Sequence, residues 1–106
     1  MLRCHVYVYR CPTSHTPLFV GATSSSLRRR DLRHRCSRLT SFDRLYRRKG
    51  QFTLGLLESR TFPATQDAAA RLWMRGQHAA WVLRLQTHRG LGLNHQASSW
   101  AQSARL

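Results

Sequence analysis

Tyr7, Arg30 and His34 are the side chains whose types and spacing suit chemistry on a phosphate group. Arg30 and His34 lie four residues apart, so on a helix their side chains share one face. Two groups that can both carry positive charge favour an anion between them. Arg30 can hold a phosphate through two parallel hydrogen bonds. A phenol beside that guanidinium has a lowered pKa and can act as a base or proton relay, which is the role expected of Tyr7.

The elements that must position these residues are two strands and a helix. Alternating valine and tyrosine in CHVYVYR predict a first strand from Cys4 to Cys11. LFVGAT predicts a second strand that ends at Gly21, and the short loop with two prolines makes the pair an antiparallel hairpin. The segment TSSSLRRRDLRHRCSRL then predicts a helix. Its cap candidates are Ser24 to Ser26, and its core-facing candidates are Leu27 or Leu32, Cys36 and Leu39.

The rest of the chain predicts one more strand and one long helix. SFDRLYRRKG is a second basic segment, for which we expect a helical turn that closes at Gly50. A third strand is predicted from Gln51 to Ser59. The long helix lies in FPATQDAAARLWMRGQHAAWVLRLQTH, with Thr65 as its cap, and Gly76 either kinks it or divides it in two. Trp73 and Trp81 on this helix are predicted to be core residues.

The order β-β-α-β-α predicts an α+β fold, a small antiparallel three-stranded sheet flanked by helices. A chain of 106 residues has room for one such domain. We expect the domain to span residues 1–96, with 97–106 as a C-terminal tail.

Charge indicates the class of partner. Eighteen Lys and Arg against four Asp and Glu give a formal net charge of +14, a field that a polyanion normally balances. All but one of the cations are arginine, which binds phosphate in bidentate fashion and stacks on bases. DNA is therefore the expected partner, with RNA as an alternative. The competing interpretation is a basic surface of the kind that ribosomal or nucleoid packing proteins carry.

Cysteine usage and hydropathy bear on location. Three cysteines without a CxxC pair argue against a disulfide scaffold. A zinc site that uses Cys36 and His34 lacks the usual ligand spacing. No apolar run approaches the roughly 20 residues that span a bilayer. The basic N-terminus has the composition of a targeting peptide, but its alternation favours a strand. We therefore expect an intracellular protein that is neither secreted nor bound to a membrane.

The segment HVYVY…LFVGATSSSLRRRDLRH resembles the GIY-YIG nuclease domain. That family opens with Gly-Ile/Val-Tyr on one strand and Tyr-Ile/Val-Gly on the next. Here His5–Tyr7 and Phe19–Gly21 stand in those places, with eleven residues between Tyr7 and Phe19. The resemblance continues through residue 96 and is more specific in its first half. The family's threonine, leucine, arginine, histidine and asparagine fall on Thr23, Leu27, Arg30, His34 and Asn94.

The resemblance implies an endonuclease that cleaves DNA phosphodiester bonds. Arg30 would contact the phosphate and Tyr7 would help to activate the attacking water. A divalent metal, Mg²⁺ or a transition metal, would be the cofactor. The catalytic set that it implies is Tyr7, Phe19, Arg30, His34 and Asn94. Other cations are expected to contact nucleic acid non-specifically, and these are Arg28, Arg29, Arg33, Arg47, Arg48 and Lys49.

Two positions depart from the family pattern. The second family tyrosine is Phe19, which has no hydroxyl. The metal-binding glutamate lies three residues before an aromatic-aliphatic pair on the long helix. Counting back from Trp81 gives His78, and counting back from Trp73 gives Ala70. Neither is a carboxylate, and imidazole favours softer transition metals than Mg²⁺. His78 is thus the candidate metal ligand, with Asp67 as the alternative carboxylate.

Two functions therefore remain open at this stage. The first is a GIY-YIG-type endonuclease centred on Tyr7 and Arg30. The second is an inactive module of the same fold that binds nucleic acid or acts as an inhibitor or adaptor. Because so short a domain lacks a separate specificity module, a homodimer or a partner protein is expected to supply specificity.

Overall fold

A computed structural model describes residues 1–37, 40–49, 51–89 and 92–94. The predictions for Leu39, Gly50 and the tail 97–106 lie outside these residues. The elements in chain order are β1 (Leu2–Arg10), β2 (Pro17–Thr23), α1 (Leu27–Cys36), α2 (Ser41–Lys49), β3 (Thr53–Phe62) and α3 (Asp67–Leu85).

The three strands form one antiparallel sheet in the order β2-β1-β3. β1 is the central strand, so the predicted hairpin of β1 and β2 is confirmed. In this hairpin Tyr7 pairs with Gly21 and Tyr9 pairs with Phe19. The register of β1 with β3 shifts between Val6 and Tyr7, a bulge that leaves one extra residue on β3. The predicted fold class, α+β with a small antiparallel sheet and flanking helices, is confirmed.

Alternation along β1 divides the core between the two faces of the sheet. Val6 and Val8 pack on one face with Val20 and with Val82 of α3. Trp73 and Trp81 pack against this cluster, partly buried, as predicted for core residues. Tyr7 and Tyr9 point to the other face, where they pack with Phe42 and Tyr46 of α2. The sheet thus lies between α3 on one side and α1 and α2 on the other.

α1 begins as predicted and buries a different face from the one predicted. Ser26 is its N-cap and accepts a hydrogen bond from the Arg29 amide at 3.2 Å. Of the two alternatives Leu27 and Leu32, Leu27 is half-buried and packs against the tyrosines of β1, whereas Leu32 is exposed. Cys36 is exposed too, so its prediction as a core residue is wrong. The side chain of α1 that is fully buried is His34. The helix faces the sheet with polar groups, because the tyrosines of β1 supply hydrogen-bond partners there.

The element order is β-β-α-α-β-α, and not the predicted β-β-α-β-α, because the structure contains the additional helix α2. The basic segment predicted as a helical turn is a helix of nine residues. Phe42 and Tyr46 lie four residues apart and are both buried, while the cations of this helix lie on its other side. Because residues four apart lie on the same side of a helix, these two aromatic residues define the face of α2 that packs on the sheet.

α3 is one helix of nineteen residues that continues through Gly76. Thr65 does not cap it, because the N-cap is Gln66, whose side chain makes no capping hydrogen bond. A single glycine costs a helix about 1 kcal/mol relative to alanine, which the packing of Trp73, Trp81 and Val82 on the sheet offsets. Within the described ranges, no helix is both long and apolar enough to cross a bilayer.

Candidate functional site

Tyr7, Arg30 and His34 meet in one hydrogen-bonded cluster between the sheet and α1. The Tyr7 Oη lies 2.6 Å from His34 Nε2 and 3.2 Å from Arg30 Nε. On its other side, His34 Nδ1 lies 2.6 Å from Asp43 Oδ1. We call these four residues the Tyr7 cluster. Tyr7, Arg30 and His34 were predicted from the sequence as site residues, whereas Asp43 was not.

The hydrogen-bond roles in the Tyr7 cluster follow from the chemistry of its atoms. An ionised carboxylate only accepts hydrogen bonds, so a neutral His34 carries its proton on Nδ1 and donates it to Asp43. Its Nε2 is then an acceptor, and the Tyr7 hydroxyl donates to it. The Arg30 Nε–H in turn donates to the Tyr7 oxygen. This is the arrangement of nucleophile or acid, imidazole and orienting carboxylate found in catalytic triads.

The hairpin and α1 position this cluster through one close approach. Tyr7 is fully buried at the centre of β1, and its ring lies against β2 at Gly21. A Cβ atom at Gly21 would overlap the Tyr7 Cζ and Oη atoms. A glycine is therefore required at this position for the hydroxyl to reach α1.

Burial sets the protonation states in the Tyr7 cluster. Desolvation raises the pKa of Tyr7, although Arg30 opposes the rise. The sequence-based expectation that Arg30 lowers the pKa of Tyr7 below its usual value is therefore wrong. Desolvation also lowers the pKa of His34, against the opposing effect of Asp43. At neutral pH the tyrosine is a neutral donor and the histidine is a neutral acceptor.

Phe19 contributes packing to this region. Its ring stacks on Phe42 with centroids 4.3 Å apart and meets the edge of His34 at 5.5 Å. These contacts fix the plane of the imidazole between an aromatic wall and Asp43. Because Phe19 has no hydroxyl, its role here is to orient His34.

A second hydrogen-bonded network, which the sequence did not predict, surrounds the partly buried Asp31. Tyr9 donates to Asp31 Oδ1 at 2.6 Å and Tyr46 donates to the same oxygen at 2.8 Å. The Arg35 Nε–H donates to Asp31 Oδ2 at 3.1 Å. The sequence signal for both networks was the presence of single acids in the arginine-rich segments, at positions 31 and 43. Each of these two carboxylates accepts hydrogen bonds from side chains of other elements.

Asn94 and His78 form a separate group at the outer edge of β2. Asn94 Oδ1 accepts from the Val20 amide at 2.6 Å, and its Nδ2 donates to the Val20 carbonyl at 2.9 Å. His78 Nε2 lies 3.0 Å from the same carbonyl oxygen, so this nitrogen donates, and burial lowers the pKa of His78. The two side chains thus form hydrogen bonds with the amide and carbonyl groups of Val20 on the edge strand β2. The structure places them on Val20, apart from the hydrogen bonds of the Tyr7 cluster.

A divalent cation does not fit the donors found at these positions. His78 commits its Nε2 to a carbonyl, and Asn94 commits both ends of its amide to Val20. Across the described part of the chain, no three His, Cys, Asp or Glu side chains come together as a metal-binding group. His34 is hydrogen-bonded to Tyr7 and Asp43, while Cys36 is an exposed free thiol. Asp67 pairs with Arg71 at 2.9 Å on the exposed start of α3.

The cations predicted to contact nucleic acid are all exposed on α1 and α2. We call them the α1–α2 basic surface, and they are Arg28, Arg29, Arg33, Arg47, Arg48 and Lys49. Arg30 is half-buried, since its Nε reaches inward to Tyr7. The basic surface and the Tyr7 cluster therefore belong to the same two helices, with Arg30 between surface and interior.

Comparison of this chain with protein-family models, with curated proteins and with solved structures gives no match. The α1–α2 basic surface provides a positive field, and Arg30 provides a guanidinium that is partly solvent-exposed. Behind Arg30 lies the hydrogen-bonded chain of Tyr7, His34 and Asp43.

Proposed function

We propose that this protein is a GIY-YIG-type endonuclease that binds DNA through the α1–α2 basic surface and cleaves a phosphodiester bond at the Tyr7 cluster. The observation that carries this proposal is the continuous hydrogen-bonded path from Arg30 through Tyr7 and His34 to Asp43. A packing tyrosine has no need of an imidazole whose tautomer is fixed by a buried carboxylate.

The relay removes a proton from the attacking water without requiring an ionised tyrosine. The water transfers a proton to the Tyr7 oxygen while the Tyr7 hydroxyl transfers its own proton to His34 Nε2. The imidazolium that results lies beside Asp43, whose negative charge stabilises it. The raised pKa of Tyr7 and the lowered pKa of His34 mean that both groups begin neutral. Desolvation disfavours the imidazolium, and the hydrogen bond and negative charge of Asp43 offset part of that cost.

Arg30 links the relay to the phosphate. Its Nε is hydrogen-bonded to Tyr7, so its two NH₂ groups are the ones that can contact a phosphate oxygen. Negative charge grows on that phosphate during attack, and a positioned guanidinium offsets it. Arg30 is half-exposed while Tyr7 and His34 are buried. Access of water to the Tyr7 oxygen therefore requires Arg30 to move toward the bound phosphate.

A second candidate function is favoured by two observations. Tyr7 has no solvent-accessible surface, and the position of the family's glutamate holds His78, which is bonded to Val20. A domain in which the Tyr7 cluster is purely structural would still carry the α1–α2 basic surface. It would then be an inactive GIY-YIG-like module that binds nucleic acid.

The test is plasmid nicking by Tyr7→Phe with Tyr9→Phe as its matched control. Both changes remove one buried hydroxyl from neighbouring positions of β1, but Tyr9 donates to Asp31, outside the relay. Tyr7→Phe should reduce nicking by about 10²-fold or more and leave DNA affinity nearly unchanged, whereas Tyr9→Phe should keep most of the activity. Assays with Mg²⁺, Mn²⁺, Ni²⁺ and EDTA also test the metal dependence that the resemblance implies.

Two outcomes would contradict the enzyme. One is a wild-type protein that binds DNA and nicks it under none of these conditions, which favours the inactive module. The other is equal loss of nicking in Tyr7→Phe and Tyr9→Phe, because the activity would then depend on the stability of the core and not on the relay.

A further inference from the structure

The outward face of α3 carries a row of apolar residues without any charge. These residues, which we call the α3 stripe, are Ala69, Leu72, Gly76, Ala79 and Leu83. All are exposed, and the two leucines keep 69% and 64% of their surface accessible. The alternating steps of three and four residues are those of a coiled-coil seam. Because the inward face of α3 packs on the sheet, this helix is apolar on both sides.

Packing among the described residues does not require a glycine at position 76, the centre of the α3 stripe. A Cβ atom there would meet none of the atoms of the described residues within 4 Å. Glycine in the middle of a helix is nevertheless less favourable than alanine by about 1 kcal/mol. A small residue at the centre of a seam allows a second helix to approach closely, which gives the glycine a function.

We propose that the α3 stripe pairs with the α3 stripe of a second copy of this chain, with the two helices antiparallel. The spacing is symmetric about the point midway between Gly76 and Ala79, since Leu72 lies four residues before Gly76 and Leu83 lies four residues after Ala79. A twofold axis at that point sets Leu72 opposite Leu83 of the second copy and Gly76 opposite its Ala79. An interface with twofold symmetry requires such a self-complementary pattern.

Charge permits this pairing in spite of the net charge of +14. The same alignment sets Arg75, which borders the stripe, opposite Ala80 of the second copy. It also sets Arg71 opposite Arg84 of the second copy, but Arg71 is paired with Asp67 at 2.9 Å and the Arg84 guanidinium lies over the Trp81 ring. The α1–α2 basic surface lies on the other side of the sheet from α3. Exposed charges separated by more than the Debye length, about 8 Å at physiological salt, are largely screened from each other. Added salt should therefore strengthen this dimer, whereas salt weakens any association bridged by nucleic acid.

The size of the α3 stripe indicates a weak dimer. A helix of nineteen residues is about 28 Å long and about 10 Å wide, so each copy contributes on the order of 300 Å². Stable complexes bury about 800 Å² per partner. Dimerisation should thus depend on protein concentration in the micromolar range or above.

The first experiment measures molar mass against concentration by light scattering, on protein freed of nucleic acid. The mass should rise from 12.3 kDa toward twice that value, more readily in high salt. Leu72→Gln and Leu83→Gln should each shift the midpoint to at least tenfold higher concentration. Leu32→Gln is the matched control, because Leu32 on α1 is 61% exposed and lies across the sheet from α3.

Disulfide trapping tests the antiparallel register. In a background of Cys11→Ser and Cys36→Ser, the variants Leu72→Cys and Leu83→Cys should cross-link when mixed. Each alone should not, because the like positions of the two copies lie eleven residues apart along the helix axis, about 16 Å. Cross-linking of each variant with itself would overturn the antiparallel arrangement.

A protein that stays monomeric at every concentration would overturn the dimer itself. If Leu72→Gln and Leu83→Gln then lower the free energy of unfolding while Leu32→Gln does not, another segment of the same chain covers the α3 stripe. If none of the three changes stability, the α3 stripe binds a different protein.

Discussion

At the scale of single residues, protonation is governed by burial more than by the many surrounding arginines. Tyr7, His34 and His78 all lose their contact with water, and in each case desolvation is the largest cause of the pKa shift. The cations that dominate the composition act on the surface, where solvent screens them. Tyr7, His34 and His78 are therefore neutral hydrogen-bonded groups in the interior of this strongly basic protein.

The buried histidines predict how stability depends on pH. His34 and His78 have pKa values below 6.5 in the fold, whereas in the unfolded chain they titrate near 6.5. Below that pH the unfolded chain binds protons that the folded chain does not, so the free energy of unfolding should fall as the pH is lowered from 7.5 to 5.5. The slope approaches about 1.4 kcal/mol per pH unit for each histidine.

Urea unfolding followed by tryptophan fluorescence measures this slope. His78→Gln is the informative variant, since glutamine can still donate to the Val20 carbonyl but does not titrate. It should remove about half of the slope. A slope that is unchanged in His78→Gln would show that other groups cause the acid destabilisation.

At the scale of elements, β1 controls both the core and the candidate site. Its even-numbered residues pack under α3 and its tyrosines supply hydroxyls to α1 and α2. β2 contributes in two ways, because Gly21 accommodates the Tyr7 ring and Val20 holds His78 and Asn94. A short edge strand thus connects the two groups of predicted site residues through its backbone.

Gly21→Ala tests the close approach of β2 and Tyr7. The new methyl group would overlap the Tyr7 ring and hydroxyl, and overpacking of this kind costs about 1–3 kcal/mol. Gly55→Ala on β3 is the matched control, because a Cβ there meets the Val8 Cγ1 at an ordinary 3.8 Å. Urea denaturation should show a clear loss for the first variant and almost none for the second, and similar losses would refute the argument.

At the scale of the whole molecule, the sheet separates two surfaces of opposite character. Ten of the eighteen cations lie between residues 28 and 49, and the charges of the α1–α2 basic surface point away from α3. In an antiparallel α3 dimer the two basic surfaces would face away from each other. Such a dimer could hold two segments of nucleic acid at once.

Neutralising part of the α1–α2 basic surface should weaken DNA binding uniformly across sequences. The triple change Arg47→Gln, Arg48→Gln and Lys49→Gln should lower the slope of log affinity against log salt by about 2–3. The control removes an equal charge from exposed residues outside that surface, by Arg60→Gln, Arg71→Gln and Arg84→Gln. Equal effects of the two triples on the salt slope would mean that net charge alone drives binding.

The sequence by itself determined the features that depend on neighbouring residues. The period of two in CHVYVYR, the short loop and Ser26 specify the hairpin and the start of α1, because turn, cap and alternation are local effects. The one-turn spacing of Arg30 and His34 placed them together, and the hairpin brought Tyr7 to them. The exposed arginines were also predictable, since desolvation of so many cations would be too costly.

Only the tertiary structure decided how these residues are buried and paired. Asp43 meets His34 because α2 folds back on α1, and nothing in local spacing distinguishes that carboxylate from the paired, exposed Asp67. The burial of Tyr7 reverses the pKa shift expected from its charged neighbour, because desolvation depends on residues distant in the chain. His78 and Asn94 meet at Val20 for the same reason: sequence separations of 58 and 74 residues are closed by packing alone.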